Sequence, residues 1–454
     1  MNFKGLKVLV VGTGISGIGA VKLLEEKEAV PILFDSNDKI VVDEVREKLL
    51  DGGKTSVYVG TLPDNVLKSI DMVILSPGVP VDIPLVKNFK DRGIKIWGEV
   101  ELGFEFAKGD LLAVTGTNGK TTTTTLLGEI IKNHHGEDDV FVVGNIGNPY
   151  TLEALNTRDT SVTVAEISSF QLETIDKFRP KVSAILNITP DHLNRHITME
   201  NYVAVKEDIA RNQTEEDCIV LNYDDEYTRS FADKVKAKVV FFTRKENPST
   251  VNTGDLLYMD GDNIMYNDET VINVRDMILI GTHNYENVMA ASGMALSYGV
   301  PMETVRETIR TFKAVEHRIE YVRTVDGVDY YNDSKGTNPD AAIKGIQAMV
   351  KPTILIGGGF DKKSSYDEWI RSFDGKVRYL LLMGQTASDI ADCARSNGFN
   401  DIIFVNDMEE AVRTAREKSC PGDAVLLSPA CASWGMFKNY EERGDIFKKL
   451  VREL

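Results

Sequence analysis

The chain has 454 residues, 42% of them hydrophobic and 27% charged, and carries a formal net charge of −17. This length exceeds a single hydrophobic core and implies roughly two to four domains of ordinary globular composition. The acidic balance excludes a nucleic-acid binder, which needs a basic face, and no apolar run reaches the roughly 18–20 residues of a membrane span. Cys218, Cys393, Cys420 and Cys431 show neither metal-ligand spacing nor a disulfide framework, so they read as reduced thiols. Residues 1–12 lack a signal-peptide pattern, and a cytoplasmic protein is expected.

Residues 7–11 predict a buried parallel strand, followed at once by Gly12-Thr13-Gly14-Ile15-Ser16-Gly17. A helix over about 18–27 and a strand over 32–34, ending at Asp35, come next. A glycine turn between strand and helix, with an acid about 20 residues on, is the dinucleotide fingerprint in its proper setting. It marks a nucleotide-sized crevice more firmly than it marks NAD, and the same glycines would serve close strand–helix packing. Alternation continues through a strand over 72–75, Ser76-Pro77-Gly78 and a strand over 94–97, and residues 107–110 read as a boundary.

An apolar run over 111–114 leads into Thr115-Gly116-Thr117-Asn118-Gly119-Lys120-Thr121-Thr122 and a helix with Leu126, Leu127, Ile130 and Ile131 on one face. The N–H groups of such a turn, the helix N-terminus and the Lys120 ammonium make an anion site, and the Thr121 hydroxyl suits a phosphate-bound Mg²⁺. Val114 stands where the usual P-loop has its first glycine. Nucleotide triphosphate binding is expected.

Gly144-Asn145-Ile146-Gly147-Asn148-Pro149 is a turn-rich loop. A strand over 162–165 ends at Glu166, before Ser168-Ser169-Phe170-Gln171, and another over 182–188 ends in Thr189-Pro190-Asp191-His192. Groups at the carboxyl ends of parallel strands gather over one crevice. Glu166 and His192 are therefore expected beside the phosphate loop, for metal and phosphate chemistry. Lys206, on a helix over 199–212, reads by itself as a solvated lysine. Residues 256–273 predict a hairpin about Asp260-Gly261-Asp262-Asn263. Asn284 and Asn287 share a helical face and could read the edge of a base, or equally cap and pack.

A third unit starts near residue 313, with strands over 319–325 and 328–331 before Asn332-Asp333-Ser334-Lys335-Gly336-Thr337-Asn338-Pro339. Further strand–helix alternations and a strand over 424–427 lead to Ser428-Pro429-Ala430-Cys431-Ala432-Ser433 and a terminal helix. The expected class is α/β: three consecutive Rossmann-like or P-loop-type domains with mostly parallel sheets, at 1–108, 109–313 and 314–454.

Gly116-Thr117-Asn118-Gly119-Lys120-Thr121, Glu166 with Ser168-Ser169-Phe170-Gln171, His283-Asn284…Asn287, His317-Arg318 and Asn332-Asp333-Ser334-Lys335 resemble the Mur ligase family in order and spacing. The resemblance covers essentially the whole chain and implies an ATP-dependent amide ligase of peptidoglycan precursor synthesis. Gly12-x-Gly14-x-Ser16-Gly17, Ser334-Lys335-Gly336-Thr337-Asn338 and the segment 428–433 resemble members that add D-glutamate to UDP-N-acetylmuramoyl-L-alanine. The Asp-Asn-Pro-Arg motif expected of members adding the third residue is missing.

On that likeness the first domain holds the UDP-sugar rather than NAD, through Ile15, Ser16, Gly17, Asp35, Ser76 and Gly78, with Asn145, Ser168 and His192 towards the sugar-peptide end. ATP falls to Gly116, Thr117, Asn118, Gly119, Lys120, Thr121 and Thr122, with adenine near Asn284 and Asn287, ribose at Asp333 and phosphates at Arg318 and Lys335. The implied catalytic set is Lys120, Glu166, His192 and Lys206. Thr121 and Glu166 would hold one Mg²⁺ and His192 a second, with Lys206 carbamylated so that it too can bind metal. D-Glutamate falls to Thr337, Lys362 or its neighbour Lys363, Ser433 and the segment near Tyr440. A monomer acting on small molecules, without nucleic-acid or membrane partners, is expected. The rivals are a folylpolyglutamate-type ligase, which would have no UDP for the first crevice, and an NAD-dependent oxidoreductase, which leaves the phosphate loop, Glu166 and His192 without a task.

Overall fold

The computed structural model of the chain describes residues 1–49, 55–246, 251, 254–279, 281–313, 315–360 and 364–454. It contains three sheets flanked by helices, and most strand pairs are parallel. The α/β expectation holds in all three. The described chain divides into two compact units: 1–274 with 286–309, which carries the first two sheets, and 275–285 with 310–454, which carries the third.

The first sheet runs Ser56–Val59, Val30–Asp35, Lys7–Val11, Met72–Leu75, Lys95–Gly98, parallel throughout. Lys7–Val11 is central because four of its five residues are buried, as a strand covered on both faces requires. The helix after it is Ile15–Glu26, so Ile15, Ser16 and Gly17 form its first turn and do not remain in the preceding loop. The second sheet places Asp110–Thr115 between Val162–Glu166 and Val182–Ile185, all parallel. Its far edge is antiparallel: Asp255–Asp260, Asn263–Tyr266 and Glu269–Asn273 form a three-stranded meander, one strand more than the expected hairpin. In the third sheet Glu320–Val325 pairs antiparallel with Val328–Asn332, and the other pairs are parallel.

Two buried carboxylates bind the first two sheets into one unit. On the helix Glu99–Phe106, Glu99 accepts from the Thr151 N–H at 2.8 Å and the Thr151 hydroxyl at 2.7 Å. Glu101 accepts the backbone N–H groups of Asp176, Lys177 and Phe178 at 2.9, 2.7 and 3.0 Å. Burial pushes both carboxyls up, and the donors supply the compensation that a buried polar group needs. Among the described residues no helix is long and apolar enough to cross a membrane.

Candidate active site

The first sheet reverses its strand order on either side of Lys7–Val11, and a crevice opens at such a switch point beyond the strand carboxyl ends. Here it is a cleft of about 1120 Å³, and Ile15, Ser16, Asp35, Ser76, Gly78 and Asn145 line it. Asp35 shapes the loop: its carboxylate accepts the Thr13 N–H at 3.0 Å, the Thr13 hydroxyl at 2.9 Å and the Asn37 N–H at 3.0 Å. Gly17 has a different place from the rest of the predicted set. A Cβ there would lie 1.8 Å from the Gly12 carbonyl oxygen, so Gly17 lets the helix approach the strand end and lies outside the cleft lining. Ser168 is also outside the lining, because its hydroxyl caps the helix Ser169–Leu172 in a reciprocal pair with Gln171. Gln171 itself does line the cleft, as does Thr13; both stand inside the quoted motifs but outside the expected contact set.

The phosphate loop stands in the same unit. Gly119 has φ +86° just before the helix Lys120–His135, and a Cβ there would lie 2.2 Å from Asn287 Oδ1, so only glycine fits. Lys120 Nζ donates to the carbonyls of Gly116 at 2.9 Å and Thr117 at 2.8 Å. Lys206 Nζ donates to the same Gly116 oxygen at 2.8 Å. Lys206 is 1% exposed, so the solvated-lysine reading fails: tertiary packing buries this face of the helix Met199–Glu207. Burial, with the Lys120 charge nearby, holds its amine well below the usual lysine range. Tyr202, one turn earlier, shares a 3.1 Å hydrogen bond with Thr117, whose hydroxyl also donates to the Thr189 carbonyl at 3.1 Å. Thr121 and Thr122 are buried on the first helical turn, and the Asn118 N–H donates to Asn187 Oδ1 at 2.8 Å.

Glu166 pairs in register with Val114 at the end of the adjacent strand. Its Oε1 accepts from Asn145 Nδ2 at 2.7 Å, whereas Oε2 is buried without a hydrogen-bond partner. A buried, unsatisfied carboxylate oxygen beside a phosphate loop is the donor chemistry a Mg²⁺ ion takes, so the residues present fit that cation. His192 is in the left-handed region with φ +52°, with its ring edge-on to Phe170 at 4.8 Å and Nε2 3.5 Å from Asp191. The buried imidazole is instead His196, which meets Ser169 Oγ at 3.0 Å and Tyr202 ring to ring at 5.1 Å.

In the second unit Asp333 is fully buried, accepting from Ser428 Oγ at 2.7 Å and the Ile319 N–H at 3.3 Å. Burial raises its carboxyl to about 6 although the Arg318 charge pulls the other way. Lys335 lies 5.3 Å over the Tyr440 ring, and the Thr337 N–H turns back to the Lys335 carbonyl at 2.9 Å. Ser433 is buried and accepts the Phe437 N–H through its carbonyl at 3.1 Å. A residue that no motif pointed to organises this corner. Arg443 is 1% exposed and donates to Ser334 Oγ at 2.9 Å, Ser334 O at 2.7 Å and Cys431 O at 3.2 Å. Lys362 and Lys363 lie outside the described residues. Asn284 and Asn287 are both buried on the helix Thr282–Tyr298; Asn284 belongs to the second unit and Asn287, 3.4 Å from Thr123 Oγ1, to the first. Among the described residues one acid–imidazole cluster has metal-like spacing, Glu316, His317 and Asp445. The Lys448 ammonium already lies among them, 3.2 Å from Asp445 and in contact with Glu316, so the cluster is a lysine site.

Residues 6–98 match the Mur ligase MurD-like N-terminal domain, 114–295 the Mur ligase middle domain and 317–431 the Mur ligase glutamate ligase domain. The chain is 54% identical over 458 residues to a UDP-N-acetylmuramoylalanine–D-glutamate ligase of Lachnospira eligens, covering 100% of each. It is 52% identical over 458 residues to the protein of that name from Lachnoclostridium phytofermentans, covering 100% of this chain and 99% of the relative. The chain belongs to the Mur ligase family. Its fold is also similar to a solved UDP-N-acetylmuramate-alanine ligase of Thermotoga maritima, with a TM-score of 0.62, 20% identity and 99% of each chain covered. At that identity the likeness speaks for the fold alone. As a Mur ligase the chain is an ATP-using enzyme, and an NAD-dependent oxidoreductase is no longer a rival.

Proposed function

We propose that this Mur ligase joins D-glutamate to UDP-N-acetylmuramoyl-L-alanine through an acyl phosphate. The observation that carries the reading is the presence, in one compact unit, of a nucleotide-sized cleft and a phosphate loop flanked by Lys120, Lys206 and the half-satisfied Glu166. Full-length similarity to ligases of that name supports the choice of substrates. We assign the UDP-sugar to residues 1–108, ATP to 109–313 and the incoming amino acid to 314–454. The enzyme works as a cytoplasmic monomer.

A carboxylate is a poor acyl donor because oxide is a hopeless leaving group. Its oxygen attacks the γ-phosphorus, ADP departs, and the resulting acyl phosphate takes the amine at its carbonyl carbon. Phosphate then leaves and the nitrogen sheds its proton. Two anions must meet in the first step, so charge neutralisation and alignment supply most of the catalysis. Lys120 neutralises the β- and γ-phosphates, and the N–H groups at the N-terminus of the helix Lys120–His135 hold them. Thr121 with Glu166, and His192 with Lys206 as its carbamate, would hold two Mg²⁺ ions, which would supply further neutralisation of the transferring phosphoryl group. Asn145 orients Glu166 from the cleft side. Thr337, Ser433, Tyr440 and Lys362 take the D-glutamate carboxylates.

Carbamylation of Lys206 belongs to this reading. A neutral amine attacks CO₂, giving the carbamate and releasing one proton, and burial beside Lys120 favours that neutral form. The product turns a mutual repulsion of two ammonium groups into an attraction. Phosphate release should require ATP, Mg²⁺, UDP-N-acetylmuramoyl-L-alanine and D-glutamate together. Turnover with L-glutamate instead, or without the UDP-sugar, overturns the assignment.

A further inference from the structure

We propose that Arg195 is a positioning residue that sets the rim of the UDP-sugar cleft against the phosphate-loop side of the first unit, and so aligns the acyl end of the substrate. The inference rests on the function proposed above. Arg195 follows His192 by one helical turn on Leu193–His196, and its side chain is 12% exposed. Its guanidinium donates from Nη1 to the Pro77 carbonyl at 2.9 Å and from Nη2 to the Val79 carbonyl at 3.1 Å. Nε donates to Glu173 at 3.1 Å, and Nη2 completes the fork to the same carboxylate. The plane lies 4.1 Å over the Phe170 ring.

Each partner belongs to a different part of the proposed site. Pro77 and Val79 flank Gly78 in the turn that lines the cleft. Phe170 and Glu173 follow Ser168, and Phe170 meets the rings of both His192 and His196. His196 packs on Tyr202, which reaches the phosphate loop through Thr117. A single side chain thus links a turn of the first sheet to the wall behind the phosphate loop of the second. Glu173 balances the charge and fixes the plane, leaving the remaining N–H groups aimed at two carbonyls that are two residues apart. A lysine has a point charge and no fork, so it cannot hold both carbonyls and the carboxylate in that geometry.

The consequence is a divided effect. Arg195 donates to the turn around Gly78 and not to the Gly12–Ser16 turn, where we place the diphosphate, so the depth of the substrate carboxylate relative to Lys120 depends on the rim more than the hold on the diphosphate does. Misplacement of about 1 Å at a reacting group costs about 10²-fold in rate. The experiment compares the full-length protein with Arg195→Ala and Arg195→Lys. Parental turnover that needs both UDP-N-acetylmuramoyl-L-alanine and D-glutamate is measured first, and its absence counts against the proposed function and not against Arg195 alone. Given that turnover, Arg195→Ala should bind the UDP-sugar and ATP at full stoichiometry with affinities near the parental ones, yet show kcat lower by about 10²-fold. Added guanidinium ion should restore part of kcat, and Arg195→Lys should stay defective although it keeps the charge and the packing on Phe170. Parental kcat in either variant, or losses in binding stoichiometry that match the loss of rate, would overturn the proposal.

Discussion

The cleft of the first sheet and the phosphate loop of the second both stand at strand ends, and we assign both to anions, yet they are made of different materials. The cleft is walled by aliphatic side chains, prolines, glycines and hydroxyls, and its one carboxylate, Asp35, points into its own loop. The phosphate loop concentrates charge: two lysines converge on one carbonyl, and a buried glutamate keeps one oxygen without a partner. Recognition shared among many neutral contacts should degrade gradually when one is removed. Where a few charges do the work, one deletion should abolish it.

The largest effect is expected at Lys120. Lys120→Ala should lower kcat/KM by at least about 10³-fold, as the loss of a charge that meets the transition state does. Its melting temperature should stay close to the parental one, since the two carbonyls it serves lie in a loop held by Asn187 and Thr189. A drop of less than tenfold would erase the contrast with the cleft. Lys206→Ala should lose nearly as much activity, and millimolar acetate should restore part of it by standing in for the carbamate. Lys206→Met should not lower the melting temperature, because it replaces a buried amine with a side chain that needs no hydrogen bond. Full activity in either Lys206 variant would sink the carbamate.

Acidification tests the wall behind the loop. His196 is held down to about 4 by burial first and then by the Arg195 charge, with Glu173 3.5 Å from Nδ1. Because the folded-state value is depressed, the unfolded chain binds the proton more readily. The stabilisation is therefore present above about pH 6.5 and is lost as pH falls towards 4, by about 3 kcal/mol in all. Melting curves of His196→Gln should lack this part of the acid slope; an unchanged slope means the imidazole titrates freely.

Much of this contrast was legible in the sequence, because glycine turns between apolar strands and helices carry their own pattern. What stayed hidden depends on distant partners. Lys206 sits on a helix of mixed composition, and only the fold shows that its face is inside. Glu101, Arg195 and Arg443 spend their side chains on backbone carbonyls or N–H groups far along the chain, and such bonds leave no spacing to find. At Gly17 the sequence leaves two roles open, because packing glycines and phosphate glycines look the same in one dimension. Gly17→Ala separates the two roles: it should cost about 1–3 kcal/mol of stability through the close approach to Gly12, whereas a pure ligand role would leave the melting temperature alone.

Asp35 should give the smallest effect and the finest test of the comparison. Asp35→Asn keeps one acceptor but turns an amide N–H₂ towards a backbone N–H, a cost of about 1–2 kcal/mol that should appear as a modest rise in the UDP-sugar KM with kcat unchanged. Two routes lead to that rise. If Asp35 acts only by fixing the Gly12–Ile15 turn through Thr13, then Thr13→Ala, which removes the hydroxyl bond and keeps the N–H one, should give a smaller change of the same kind, and the double variant should be no worse than Asp35→Asn alone. If the carboxylate also meets the uracil directly, the double variant should be worse than both. Non-additive behaviour would make the cleft a site shaped by its own backbone, and additive behaviour would give it a charged contact of its own, bringing it closer in kind to the phosphate loop.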